Sequence, residues 1–168
     1  MINTELIPNQ VVLGERNYEA ALNLVIARAE SELLIFDHDF SRGGYTSLKR
    51  FELLNGFLAK SLDKNVKNKL SIILLDIDYF TQYCPKLFSL LEKYGHLIAV
   101  YKTNQTAKIA QDCFVIADKQ HVIRRFNINQ PRFKFMFDDE ALAAQLNTRF
   151  NELLAETTET ISYRALGL

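Results

Sequence analysis

Apolar positions along the chain alternate between helical and strand spacing. From Tyr18 to Ala29 they recur every three or four residues, which predicts an amphipathic helix, and the short apolar run "ELLIFDHD" that follows predicts a strand. A second apolar stripe, from Leu48 to Leu62, predicts another helix. The run "KLSIILLDID" then predicts a strand buried on both faces, which we expect to be parallel to the first strand.

The alternation continues for one more unit and then changes. A stripe from Phe80 to Tyr94 predicts a helix that ends at Gly95, and "HLIAVYKT" predicts a third strand. The runs "CFVIAD", "HVIRRF" and "RFKFMF" are short strand candidates with brief polar links, which favours a hairpin or a mixed sheet edge. A stripe from Leu142 to Leu153 predicts the last helix. This order predicts an α/β fold with a mixed, largely parallel sheet flanked by helices.

Length and composition indicate one domain without a strong charge. The chain has 168 residues, of which 48% are hydrophobic, and we expect residues 1–168 to form a single domain. Its core should run from about residue 16 to about residue 156. Lys plus Arg and Asp plus Glu number 20 each, so no net charge would hold the protein on a nucleic acid or an anionic membrane. We expect neither general nucleic acid binding nor membrane association.

Targeting signals and cysteine spacing indicate an intracellular protein. No apolar run is long enough to span a bilayer, and the first residues lack the basic and then apolar order of a signal peptide. The expected location is the cytoplasm. Cys84 and Cys113 are the only cysteines and have no metal-binding spacing, so we expect two buried free thiols.

An acid, Asp118, ends the buried run "QDCFVIAD", and a tight polar turn and a second strand follow it. Together with the order of elements and the closing helix "LNTRFNELLAE", this run resembles one repeat of the phospholipase D superfamily, which carries an HxKxxxxD motif on a strand. With Asp118 as the motif acid, Gln111 occupies the histidine position and Cys113 the lysine position. The resemblance implies a phospholipase D-like sandwich with a degenerate motif.

The resemblance also implies what the domain does. In the family, the histidine attacks phosphorus, the lysine holds the phosphate charge, and two copies of the motif meet at one site. Gln111 cannot form the phosphohistidine, and the glycine and serine expected after the second strand are absent, since the chain has Arg124 and Arg125 there. We therefore expect a non-catalytic binding or assembly domain.

Single-repeat members of the family pair about a twofold axis, so the resemblance further implies a homodimer. Four phenylalanines crowd the C-terminal third of the chain, where short strands offer little area to bury them all. We expect some of these rings at a partner surface. They are Phe126, Phe133, Phe135 and Phe137.

A second interpretation starts from the acids that follow the predicted parallel strands. Asp37, His38 and Asp39 follow the first strand, at the edge where open α/β sheets bind ligands. The run "LLIFDHDF" looks like the first motif of haloacid dehalogenase-type phosphatases, in which the two acids act on phosphorus and help to bind magnesium. The alternative function is therefore a magnesium-dependent phosphatase or phosphodiesterase using Asp37 and Asp39. Without it we expect no cofactor, and these acids would cap the following helices.

Other polar residues could bind a small anionic ligand. Arg124 belongs to a local basic set with Arg125, Arg132 and Lys134, which predicts either an anion site or a solvated sheet edge. Asp118 is expected to accept hydrogen bonds from the amides of its own turn, "DKQH". The complete set of ligand-binding candidates is Asp37, His38, Asp39, Asp118, His121 and Arg124.

Overall fold

The computed structural model of the chain describes residues 6–60, 69–104 and 109–161. In these ranges it has five helices and eight strands. The helices are α1 (Glu15–Ala27), α2 (Leu48–Ala59), α3 (Asp78–Tyr83), α4 (Pro85–Tyr94) and α5 (Glu140–Ala155). The strands are β1 (Val12–Leu13), β2 (Leu33–Asp37), β3 (Leu70–Leu74), β4 (Ile98–Thr103), β5 (Cys113–Ala117), β6 (His121–Asn127), β7 (Gln130–Met136) and β8 (Thr157–Ile161).

All of these strands belong to one sheet, in the order β1-β7-β6-β5-β2-β3-β4-β8. The sheet is mixed, as predicted, but it is mostly antiparallel rather than largely parallel. Among the described strands only the β2–β3 and β3–β4 pairs are parallel, and the other five pairs are antiparallel. The reason is the short link at residues 104–112, which has no room for the helical crossover that a further parallel strand would need. β5 therefore returns beside β2 in the opposite direction.

Two hydrophobic clusters cover the two faces of the sheet. On one face, α1 to α4 pack their apolar stripes against residues such as Ile35 and Val115. On the other face, α5 packs Phe150 against Phe36 and Phe114. Because side chains alternate along a strand, neighbouring residues of β2 and β5 belong to different clusters.

The helix predicted between Phe80 and Tyr94 is two helices. Pro85 begins α4 at its first turn, where its missing N–H costs nothing, and α3 ends at Tyr83 because proline cannot continue a helix. The apolar stripe nevertheless stays on the same cluster, since Phe80 and Leu87 are both buried there.

The last third of the chain forms the predicted hairpins, with β5, β6 and β7 in an antiparallel meander. Phe133 and Phe135 are fully buried against α1, so they are not among the rings available to a partner surface. Phe126 and Phe137 are half-buried. The edge strands β1 and β8 were not predicted. No helix in the described residues is long and apolar enough to cross a membrane.

One edge of the sheet organises the candidate site. The parallel strands β2, β3 and β4 all end there, and β5 begins there because it runs in the opposite direction. We call this edge the carboxyl edge; it carries Asp37, Leu74, Thr103 and Cys113. The segment that enters β5 therefore brings Gln111 to the ends of the parallel strands.

Candidate functional site

On the α1 face of the carboxyl edge, Asp37 and Cys113 lie side by side. Phe36 and Phe114 are paired between the antiparallel strands β2 and β5. Asp37 comes directly after Phe36 and Cys113 directly before Phe114, so the two residues are neighbours at the same end of the sheet. The hydroxyl of Tyr18, on α1, lies 3.3 Å from the Cys113 sulfur. Cys113 is only 1% exposed. The position that the resemblance assigns to the motif lysine is therefore a buried thiol with a hydrogen-bonding neighbour.

Asp37 is enclosed in the same cluster. Burial raises its pKa to about 6, and the nearby Asp39 carboxylate adds to that effect. The backbone N–H of Phe40 donates a hydrogen bond to Asp37 Oδ2 at 3.0 Å. This hydrogen bond lowers the pKa of Asp37 and so opposes the effect of burial. Asp37 thus carries a proton more readily than an ordinary aspartate.

The acids at this edge do not fit a magnesium site. Asp39 is turned into its own loop, where Oδ1 accepts hydrogen bonds from the Ser41 amide at 2.9 Å and hydroxyl at 2.6 Å. Asp37 is buried, whereas Mg²⁺ keeps several waters and takes exposed oxygen ligands. Within the part of the chain that the structure describes, no group of three or more His, Cys, Asp or Glu side chains is placed to hold a metal ion.

Asp37 and Asp39 do not cap α2, the helix that follows them. Ser47 caps α2 by accepting a hydrogen bond from the Arg50 amide at 3.1 Å. Asp39 serves the turn at Ser41, as described above, and Asp76 accepts from the Asp78 amide at 2.8 Å in the turn before α3. The acids therefore stabilise turns that precede the helices.

On the α5 face of the same edge, an ion cluster surrounds Asp112. This residue lies between Gln111 and Cys113. Its carboxylate faces α5, where Arg149 contacts it, whereas Cys113 belongs to the cluster on the α1 face. Arg124 Nε donates to its Oδ2 at 2.8 Å, and both terminal nitrogens of Arg149, on α5, contact its two oxygens. Burial would raise the pKa of Asp112, but the hydrogen bonds from Arg149 and Arg124 lower it.

His38 lies beside this cluster. Burial lowers the pKa of His38, and a hydrogen bond to the Asp112 backbone opposes the change. Its Nε2 atom is buried and has no hydrogen-bond partner among the described residues. The structure thus brings His38 and Arg124, two of the candidates, together around an acid that was not a candidate.

Arg125 does not belong to a basic surface. Its side chain is 0% exposed and makes a two-pronged ion pair with Glu15, with Nη2 to Oε2 at 2.9 Å. The same side chain donates to the backbone oxygens of Asn127 at 3.2 Å and Ile128 at 2.9 Å, and it lies over the Tyr18 ring. The predicted basic set is therefore divided, because Arg124 and Arg125 are each paired with a carboxylate.

Asp118 and His121 lie at the opposite end of the β5–β6 hairpin, on the order of 17 Å along the strand from Cys113. The carboxylate of Asp118 accepts hydrogen bonds from the amides of Glu30 (2.9 Å), Ser31 (2.8 Å) and Glu32 (3.0 Å) and from the Ser31 hydroxyl (2.9 Å). The predicted donors, in its own turn, were wrong. Burial would raise the pKa of Asp118, but these amides lower it.

His121 also has a structural contact. Its Nδ1 atom accepts a hydrogen bond from the Asp138 amide at 3.1 Å. The six candidates therefore divide into two groups at opposite ends of the hairpin. Asp37, His38, Asp39 and Arg124 lie near the carboxyl edge, and Asp118 and His121 do not.

Comparison with known proteins agrees with this architecture. The family model described as "Domain of unknown function (DUF7931)" matches residues 14–166. No curated protein matches the chain.

Three solved structures have a similar fold. Nuc from Salmonella typhimurium, a phospholipase D family member, has a TM-score of 0.67 and 13% identity over 91% of this chain and 97% of its own. NucT from Helicobacter pylori has a TM-score of 0.56 and 15% identity over 89% of this chain and 96% of its own. TrmBL2, an archaeal chromatin protein with a novel mode of DNA binding, has a TM-score of 0.61 and 15% identity over 89% of this chain. The match covers 53% of TrmBL2, so this chain spans about half its length. The fold is phospholipase D-like.

Proposed function

The chain belongs to the DUF7931 family, and we propose that its phospholipase D-like domain is a non-catalytic binding or assembly module that acts as a homodimer. The observation that carries the proposal is the buried Cys113 thiol at the position of the motif lysine. The family mechanism needs a nucleophile and a cation at the two motif positions. Gln111 and Cys113 provide neither.

The first missing group is the nucleophile. Gln111 is exposed, and its side-chain amide donates to the Ile109 backbone oxygen at 3.4 Å. An amide has no lone pair that is basic enough to attack phosphorus, so no covalent intermediate forms there. Cys113 does not replace it, because burial raises the pKa of its thiol well above the usual value and the nearby Asp37 adds to the shift. The thiolate, which is the reactive form, is therefore disfavoured.

The second group that the mechanism needs is a cation for the phosphate charge, and the arginines that the structure describes at this edge are already paired. Arg125 faces the α1 side with Cys113, but its guanidinium is held by Glu15 and by two backbone oxygens. Arg124 and Arg149 are held by Asp112. A phosphate would have to compete with these carboxylates, so the edge is not organised to stabilise a phosphoryl transition state.

Exposed apolar side chains near the same edge support the assembly role. Ile109, two residues before Gln111, is 80% exposed, and Tyr83, on the helix that follows β3, is 59% exposed. A twofold axis through this edge would bring the same residues of a second copy against them. Their burial would contribute the apolar centre that stable dimers have.

The association test is sedimentation velocity in the micromolar range. The wild-type protein should sediment as a dimer, because obligate interfaces of about 2,000 Å² do not dissociate at such concentrations. Ile109→Asp should give a monomer. Leu24→Asp, at a leucine of α1 that is 44% exposed, is the matched control and should stay dimeric. A monomeric wild type, or a dimer unaffected by Ile109→Asp, would remove the proposed arrangement.

The activity test uses bis(p-nitrophenyl) phosphate and short DNA, with and without magnesium. We expect no turnover above the buffer blank under either condition. Turnover that disappears in Gln111→Ala, with the circular dichroism spectrum unchanged, would contradict the non-catalytic role. Magnesium-dependent turnover that disappears in Asp37→Asn would instead support a phosphatase.

A further inference from the structure

A groove lies between α5 and the amino-terminal ends of β2 and β3, at the opposite end of the sheet from the carboxyl edge. Its volume is about 300 Å³, within the range of small-molecule sites. Apolar and polar side chains both line it. The apolar residues are Leu34, Phe150 and Leu154, and the polar residues are Glu32, Ser71, Lys119, Asn147 and Asn151.

The fold places these residues by simple register. Leu34 and Ser71 are directly paired across β2 and β3, on the face that α5 covers. Asn147 and Asn151 are one helical turn apart and therefore lie on one side of α5. Lys119 is in the β5–β6 turn, where its φ of 58° is unusual for a lysine. The preceding residue, Asp118, holds this turn against the segment that carries Glu32.

Glu32 provides the main evidence for a ligand. Its Oε1 atom is buried and has no hydrogen-bond partner in the described part of the chain. A buried carboxylate oxygen without a donor is unfavourable, and native structures rarely retain one without a reason. The groove beside this atom would admit a donor from outside.

The other groups that line the groove indicate which kind of ligand would carry that donor. An ammonium group would satisfy Glu32, whereas Lys119, of opposite charge, suits a carboxylate. The amides of Asn147 and Asn151 can donate to or accept from either end of such a molecule. Leu34, Phe150 and Leu154 provide a surface for an apolar group. We propose that the groove binds a free α-amino acid with an apolar side chain.

The test is titration of the full chain, labelled with ¹⁵N, with L-phenylalanine, phenethylamine and 3-phenylpropionate. The two analogues each lack one of the charges. L-Phenylalanine should shift the side-chain amide signals of Asn147 and Asn151 with a Kd on the order of 1 mM. 3-Phenylpropionate should bind at least about tenfold more weakly, because it leaves the buried Glu32 Oε1 atom without a donor. Phenethylamine should also bind more weakly, because it leaves the exposed Lys119 without a carboxylate.

The variant Glu32→Gln should weaken L-phenylalanine binding by about tenfold or more. Glu30→Gln is the matched control, because it removes the same charge from the same segment but does not line the groove. It should bind like the wild type, and both variants should show native spectra. Absence of a saturable shift would overturn the proposal. So would phenethylamine binding as tightly as L-phenylalanine, or an equal loss in Glu30→Gln.

Discussion

The turn at Asp118 offers the sharpest test of whether this acid has a structural role. Replacing Asp118 with leucine removes the acceptor of three backbone amides and one hydroxyl. It also puts a leucine at a φ of 55°, a left-handed conformation that aspartate tolerates better. Two separate costs are therefore expected.

The magnitudes follow from these two contributions. The amides are partly exposed, so water replaces some of the lost hydrogen bonds, and we assign about 2 kcal/mol to their loss. The left-handed backbone adds about 1 kcal/mol. Asp118→Leu should therefore lower the free energy of unfolding by about 3 kcal/mol, whereas Asp118→Asn, which keeps one acceptor and tolerates the backbone, should cost about 1 kcal/mol.

The assay is urea unfolding followed by far-ultraviolet circular dichroism, since the chain has no tryptophan. Asp138→Leu is the matched control. Asp138 has a φ of 56°, but its side chain is 73% exposed, and the structure shows no hydrogen bond to its carboxylate within the described residues. This variant should lose only the backbone contribution, about 1 kcal/mol.

The pH dependence of the free energy of unfolding tests the role of Asp118 in a second way. Because folding lowers the pKa of Asp118, its contribution is complete above its unfolded value of about 4 and is lost as the pH falls through the folded value. The gap between wild type and Asp118→Asn should close at low pH. If Asp118→Leu unfolds at the same urea concentration as Asp138→Leu, the hydrogen bonds to the amides contribute nothing and the structural role is refuted.

Two further predictions concern buried charges. Folding raises the pKa of Asp37 to about 6, so its stabilising effect is complete below the unfolded pKa of about 4 and is lost as the pH rises through about 6. Asp37→Asn should remove this loss, so at pH 7 its free energy of unfolding should exceed that of the wild type by about 3 kcal/mol. A variant that only lowers stability at pH 7 would contradict it. Glu15→Gln should cost about 1 to 3 kcal/mol by leaving the buried Arg125 without its partner, and adding Arg125→Met should restore part of that loss in a double-mutant cycle; additive effects would show that the pair is not coupled.

The elements of the fold could be predicted largely from periodicity. The apolar run before Asp37 and the stripe of α1 are both strong local signals, and the hairpins after residue 112 follow from short polar links. Strand direction could not be predicted in the same way, because β5 is apolar on both faces whether its neighbour is parallel or antiparallel. Its direction depends on the length of the link before it, which is a tertiary constraint. Pro85 was a local signal for a break in the helix, but the continuous apolar stripe from Phe80 to Tyr94 favoured a single helix.

The site could be predicted only in part, for a different reason. Asp37, His38 and Arg124 do gather near one edge, since strand ends meet there. Other charged groups near this edge have partners from distant elements. Asp112 pairs with Arg149 on the last helix, and Arg125 pairs with Glu15 on the first. An acid inside an apolar run, such as Asp112, does signal a buried partner. No single-sequence pattern says which cation that partner is.

The two ends of the β5–β6 hairpin place their residues in different surroundings. Gln111 and Cys113, which the sequence resemblance assigns to the histidine and lysine positions, lie at the carboxyl edge. A thiol packs there as well as any small apolar group, because Tyr18 and Asp37 satisfy it. Asp118 lies at the far end and holds the segment before β2 through its hydrogen bonds to three successive amides. A change at Asp118 is therefore expected to weaken the fold itself, independently of any role of Gln111 and Cys113.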